Sequence, residues 1–213
     1  YNTAVGYGAL TANTASNNTA LGHKTMEANS TGANNVAVGY LALTDNTTAN
    51  ENTALGVKAL LVNTTGATNT AVGAYALDAN TTASNNTAIG YASLGANTTG
   101  AGNVALGKNS SFSNTTGGTN VAVGYYALYA NTSNGYNTAL GNAAVQSGSG
   151  GTGNTALGSS ALNVGGAGDY NTTVGYNAGL AITTGDRNVV IGSTAMDACT
   201  TGQYNVAVGN AAL

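Results

Sequence analysis

The sequence predicts an all-β fold, a parallel β-solenoid or β-roll of 17-residue coils. Three observations carry that prediction. One phrase repeats at constant spacing from end to end. Each copy opens on small, β-branched and aliphatic residues. Each copy closes on residues that favour turns.

Asparagine marks the spacing. Asn2, Asn18, Asn35, Asn52, Asn69, Asn86, Asn103, Asn120, Asn137, Asn154, Asn171, Asn188 and Asn205 are 16 residues apart at the first step and 17 at every later one. Residues 1–213 therefore read as a single repeat array, twelve complete copies and a thirteenth of nine residues. With each marker Asn as position 1, the consensus is N-[TV]-A-[VLI]-G-Y-x-A-L-x-A-N-T-T-G-x-x. Position 3 departs from Ala only at Thr173 and Val190.

The elements follow in order. Seventeen residues are too few for the helix pairs of helical arrays, which need roughly 30 or more. The β-branched residues at positions 2–4 favour a strand. Position 5 is always glycine: Gly6, Gly22, Gly39, Gly56, Gly73, Gly90, Gly107, Gly124, Gly141, Gly158, Gly175, Gly192 and Gly209. Such a position calls for a positive φ or has no room for a Cβ. The N-T-T-G run at positions 12–15 is a turn. Each copy reads strand, turn, strand, turn, with positions 8 and 9 in the second strand.

One coil cannot bury enough apolar surface to offset the ordering of its backbone; stacked coils share hydrogen bonds and a core. At ~4.8 Å per coil, the rod should be roughly 55–60 Å long. The marker asparagines should form an amide ladder. A second ladder should run through position 12, at Asn13, Asn29, Asn46, Asn63, Asn80, Asn97, Asn114 and Asn131. Gly148, Gly165, Ile182 and Cys199 then occupy that slot, so the last third should have different corners. Ser111 and Gly179 replace the usual Leu of position 9, and Phe112 and Leu180 follow them. A local bulge is expected to return the apolar side chain to its socket.

Strand alternation puts positions 2 and 4 on one face and position 3 on the other. On this reading Val/Leu/Ile share a face with Leu, and Ala shares a face with Ala. Both faces are constrained, although a lone roll needs one. One face should fill the roll. The other should pack on a second chain, and the small Ala would allow close approach. A homo-oligomer is expected, a homotrimer about the long axis.

Composition narrows the function classes. Charged residues make up 5% of the chain, against about a quarter in ordinary domains, and the net charge is −3. That leaves no electrostatic basis for binding nucleic acid or an anionic membrane. No run is apolar enough for a membrane-spanning helix, so no membrane insertion is expected. Hydrophobic residues at 42% argue against disorder. Cys199 is the one cysteine, either a small buried residue or a crosslink between chains.

The copies "NNVAVGYLAL" (34–43), "TNVAVGYYAL" (119–128) and "YNVAVGNAAL" (204–213) resemble the N-S-V-A-I-G repeat of YadA-like trimeric autotransporter adhesin heads. The phrase "NTAVGYGAL" followed by "NTTG" resembles repeats of bacterial and phage tail-fibre-type proteins. The resemblance covers the whole chain. It implies a left-handed, trimeric parallel β-roll that forms an extracellular stalk or adhesive head. The 17-residue period is longer than that of the adhesin heads, and the NTTG corner is additional.

Chemistry is sparse. A catalytic site needs several unlike groups converging. His23 is the only histidine and reads as a surface residue beside Lys24. The carboxylates Glu27, Asp45, Glu51, Asp78, Asp169, Asp186 and Asp197 are scattered, with a local Asp186–Arg187 pair expected. "GSGGTG" (148–153) lacks a phosphate-binding Lys and reads as a flexible corner. No catalytic, metal or cofactor residues are nominated, and no enzyme is expected. Tyr7, Tyr40, Tyr91, Tyr125 and Tyr176 share position 6, and Tyr1, Tyr136, Tyr170 and Tyr204 share position 17. They read as corner packing, or as a stacking surface for sugars or a partner. Asn46, Asn63, Asn80, Asn97 and Asn114 lie in N-glycosylation sequons, which are products of the repeat or exposed glycan sites.

The expected function is structural: a rigid extracellular fibre, stalk or adhesive head on a cell or virion surface. The expected partners are further copies, as a homotrimer or end-to-end filament, and cell-surface glycans. The alternatives are an ice-binding solenoid, from the recurring Thr, and a carbohydrate-binding fibre surface along the Tyr rows. The array starts and stops mid-phase without polar caps, which predicts a stretch of a longer array or a subunit stacked end to end.

Overall fold

The computed structural model describes residues 1–148, 151–164 and 168–213. The expected corner residue Gly165 and part of the 148–153 corner lie outside the described residues. Thirteen three-residue strands, from β1 (Thr3–Val5) to β13 (Val206–Val208), form one parallel sheet in sequence order. The fold is an all-β parallel solenoid with no helix among the described residues. Equivalent positions pair throughout: Thr3 with Thr19, Ala4 with Ala20, Val5 with Leu21. The short first interval is absorbed at a corner. Asn13 Nδ2 donates to the Ala15 carbonyl two residues on, at 2.9 Å, where Asn29 reaches Gly32 three residues on, also at 2.9 Å.

Each coil contains one strand, not two. Positions 7 and 9 both lie in the left-handed region, as at Lys24 (φ 54°) and Met26 (φ 51°), or Tyr126 (φ 57°) and Leu128 (φ 51°). Position 17 is a third such site, as at Asn17 (φ 64°) and Tyr136 (φ 62°). A left-handed conformation costs a non-glycine residue about 1–2 kcal/mol. Hydrogen bonds between coils hold it in place: Lys24 N–H donates to Tyr7 O at 2.8 Å and Leu43 N–H to Ala59 O at 2.9 Å.

This backbone overturns the expected division of faces. Two left-handed residues within three positions cancel strand alternation, so positions 8 and 9 both point inward. Ala42 with Leu43, Ala59 with Leu60 and Ala76 with Leu77 are fully buried. The Leu fills the narrow interior and leaves room only for Ala opposite it on the strand, as at Ala37, Ala54 and Ala71. The position-4 aliphatics, expected inside, face outward: Leu21 is 48% exposed and Leu106 43%.

The expected bulges are also absent. Ser111 N–H donates to Ala127 O at 2.8 Å, the same pairing that Leu94 makes with Ser110 at 3.0 Å. Ser111 thus occupies the leucine socket, buried, with its Oγ unpartnered. Phe112 stays at the surface, its ring stacked on Tyr129 at 5.6 Å. Here the core divides into one cluster from Ala20 to Ala105 and another from Ala122 to Ala207. At Gly179 the socket is filled from elsewhere. Ile182, from position 12, is buried and places its Cδ1 2.9 Å from where a Gly179 Cβ would stand. Thr173, larger than the usual Ala, closes the same space with its Cγ2, also at 2.9 Å.

Candidate interaction surface

The two amide ladders form one corner clamp. From Asn18 to Asn188 the marker asparagines are buried. Each Oδ1 accepts the backbone N–H of the next marker, as Asn35 Oδ1 does from Asn52 at 2.9 Å. Each Nδ2 crosses its coil to a position-15 carbonyl. The position-12 amide grips the same carbonyl: Asn86 and Asn97 both donate to Gly100 O, at 2.9 and 3.0 Å. Position-12 amides also chain to one another, as Asn97 Nδ2 to Asn80 Oδ1 at 3.1 Å. The second chain ends at Asn131, whose buried Oδ1 has no partner because the next coil carries Gly148. Beyond it only the marker amide holds the corner carbonyl, as Asn171 does at Gly185, at 2.8 Å. The sequon residues Asn46, Asn63, Asn80, Asn97 and Asn114 are all buried in this chain. Their side chains are structural contacts and do not protrude as exposed glycan sites.

The position-5 glycines satisfy both conditions set by the sequence. At Gly90 φ is 133°, and a Cβ there would stand 2.5 Å from the Gly107 carbonyl oxygen. Coils can approach this closely only along a column without side chains.

The sheet presents a continuous apolar face. Val5, Leu21, Leu55, Ile89, Leu106, Leu140, Leu157, Ile191 and Val208 of position 4 are exposed. Position 2 lies beside them and is Thr in eight coils and Val in five. Lys, Arg, Asp and Glu occur only at positions 6, 7, 10, 11, 16 and 17, so the face carries no charge.

The tyrosines of position 6 border this face and are exposed. Tyr7 and Tyr40 sandwich His23, with centroids 5.5 and 5.4 Å apart. Lys108 lies over both Tyr91 and Tyr125, at 5.9 and 5.8 Å. Tyr176 joins neither group. Tyr125 packs edge-on to Tyr126 at 4.2 Å, and their hydrogen bond raises the Tyr125 phenol and lowers that of Tyr126. Arg187 does not pair with Asp186. It lies between Tyr170 and Tyr204, 5.4 and 5.6 Å from their ring centres, while Asp186 Oδ1 accepts the Asp169 N–H at 2.8 Å. The one ion pair among the described residues is Lys24–Glu27, at 3.2 Å. Cys199 is half-buried against the core. No group of three or more metal-capable side chains occurs among the described residues.

Compared with family models, curated proteins and solved structures, the chain matches none. The molecule presents to its surroundings the uncharged face and the aromatic border beside it, with the amide clamp buried at the corner.

Proposed function

We propose that this chain is a non-enzymatic structural rod that associates with copies of itself through its uncharged sheet face. The assembly is a homotrimer about the long axis, with the left hand implied by the adhesin-like repeat. It serves as a stiff fibre, stalk or adhesive head on a cell or virion surface. The observation that carries this reading is the unbroken row of outward aliphatics. Twelve coil steps of ~4.8 Å and a width of ~10 Å give roughly 600 Å² per chain. That is the upper end of what monomers leave exposed, and it approaches the ~800 Å² per partner of a standard interface. A second copy has the same rise per coil, so it can match every rung, whereas a partner without this period fits only locally. Ice binding is less favoured: the aliphatic row is unbroken, and Val replaces Thr at Val36, Val104, Val121, Val189 and Val206.

The test is solution mass by sedimentation. The wild type should run at three times its 20.6 kDa chain mass. Ile89→Asp with Leu106→Asp should dissociate it with an unchanged circular dichroism spectrum. A soluble wild-type monomer would refute self-association. A two-chain particle would refute the threefold arrangement alone.

A further inference from the structure

A groove of about 720 Å³ interrupts the side-chain columns beside the sheet. Positions 7 and 10 of the neighbouring coils carry larger side chains: Lys58 and Leu61, Tyr75 and Asp78, Asn109 and Phe112, Tyr126 and Tyr129. The coil beginning at Asn86 carries Ala92 and Gly95 instead. One rung is missing, and the groove lies over the gap, with Tyr75, Asp78, Tyr91, Ala92, Gly95 and Phe112 in its lining. A volume of this size, mostly apolar with a few polar groups, is typical of a small-molecule site.

We propose that this groove binds the ring of a neutral hexopyranose, seated in the place of the missing rung. Two observations select that class. The first is the character of the walls. Phe112 packs one ring face on Tyr129 and leaves the other toward the groove, with its Cε2 3.0 Å from where a Gly95 Cβ would stand. Ring C–H groups of a sugar pack on such faces, while Asp78, Asn109 and the tyrosine hydroxyls can meet its hydroxyls. Asp78 is half-buried, and burial raises its carboxyl above the usual value, so it gains from a hydroxyl donor. The second is charge. Lys58 lies 5.6 Å from the Tyr75 ring centre and Lys108 5.9 Å from that of Tyr91. Two ammonium groups against one carboxylate disfavour a cationic ligand.

The groove lies off the sheet face, so its test is independent of self-association. The probes are the methyl α-pyranosides of glucose, galactose and mannose, with maltotriose and cellotriose. They are titrated into the intact protein by saturation-transfer NMR and calorimetry. At least one should bind at ~1 mM or tighter, with transfer to its ring C–H protons. Ala92→Tyr supplies the missing rung with the residue that Tyr75 and Tyr126 already carry at that position, and should weaken binding at least ~30-fold. Phe112→Leu should weaken it ~5–10-fold. If Ala92→Tyr does not fold, Gly95→Leu, with its precedent at Leu61, takes its place. No probe binding below ~10 mM would overturn the proposal. So would binding left intact in the folded plugged variant, or tetramethylammonium binding more tightly than every sugar.

Discussion

Asn97→Ala tests whether the position-12 amides act as a continuous chain. Asn97 makes three side-chain hydrogen bonds, to Asn80 Oδ1 at 3.1 Å, to Gly100 O at 3.0 Å and from Asn114 Nδ2 at 2.9 Å. Two of the three partners keep other contacts: Gly100 O retains Asn86, and Asn114 Nδ2 retains Gly117. Asn80 Oδ1 does not, and becomes a buried acceptor without a donor. Net hydrogen bonds are worth about 1 kcal/mol each and an orphaned buried acceptor costs about 1–3 kcal/mol, so the loss should be about 4–6 kcal/mol. Asn131→Ala is the internal control. Asn131 makes only two such bonds, to Asn114 Oδ1 at 3.1 Å and Asn134 O at 3.0 Å. Its own Oδ1 is already unpartnered, so the substitution moves the orphan one rung back to Asn114 and adds none. That loss should be about 2 kcal/mol. Urea unfolding followed by circular dichroism gives both values, and hydrogen exchange in the flanking coils shows whether the effect is local. Equal costs for the two variants, or less than ~1 kcal/mol for Asn97→Ala, would refute the chain.

The two leucine-socket exceptions should respond in opposite directions. Ser111→Leu replaces a buried unpartnered hydroxyl with the residue its column expects, and should stabilise the protein by about 1–2 kcal/mol in the same unfolding assay. Gly179→Leu should destabilise it by about 1–3 kcal/mol, because Ile182 and Thr173 already occupy the space. Asp78→Asn should change the pH dependence. Burial raises the Asp78 carboxyl from 3.8, so the folded state holds its proton more tightly than the unfolded chain does. Stability from this group is therefore present below pH 3.8 and lost as pH rises through the raised folded value. Unfolding midpoints measured across that window should fall less in Asp78→Asn than in the wild type.

The sequence showed the period, the parallel stacking, both amide ladders and the glycine column, because each depends on a residue type with a geometric requirement. An amide can bridge identical neighbours, and only Gly tolerates φ near 133° with a carbonyl 2.5 Å from its missing Cβ. The left-handed residues were harder to see. Position 17 carries a hint in Asn17, Asn34, Asn85, Gly102 and Gly153, types that enter that region readily. Positions 7 and 9 carry almost none, since Lys24, Tyr75, Leu60 and Val145 do not announce a positive φ. Plain strand alternation would turn Val/Leu/Ile inward; the left-handed residues turn position 9 inward instead and leave position 4 outside. A correcting signal was present: position 2, on the same face as position 4, is Thr in eight coils, whereas position 3 between them is Ala in all but two. The groove was legible only as the coincidence of Ala92 and Gly95 in one coil. Ile182 entering the Gly179 socket could not be read from a period that assigns position 12 to the corner.

The division of the core at Ser110 and Ser111 has a mechanical consequence. In a one-dimensional array each coil is coupled only to its neighbours, so the whole is as cooperative as its weakest coupling. At this seam the backbone hydrogen bonds run on unchanged, while the apolar contact between the two halves is interrupted. The rod is thus two apolar blocks spliced by backbone and by the corner amides that cross the seam, Asn114 to Asn97 and Asn120 to Asn103. Heat or tension along the axis would load that polar splice without help from a shared core.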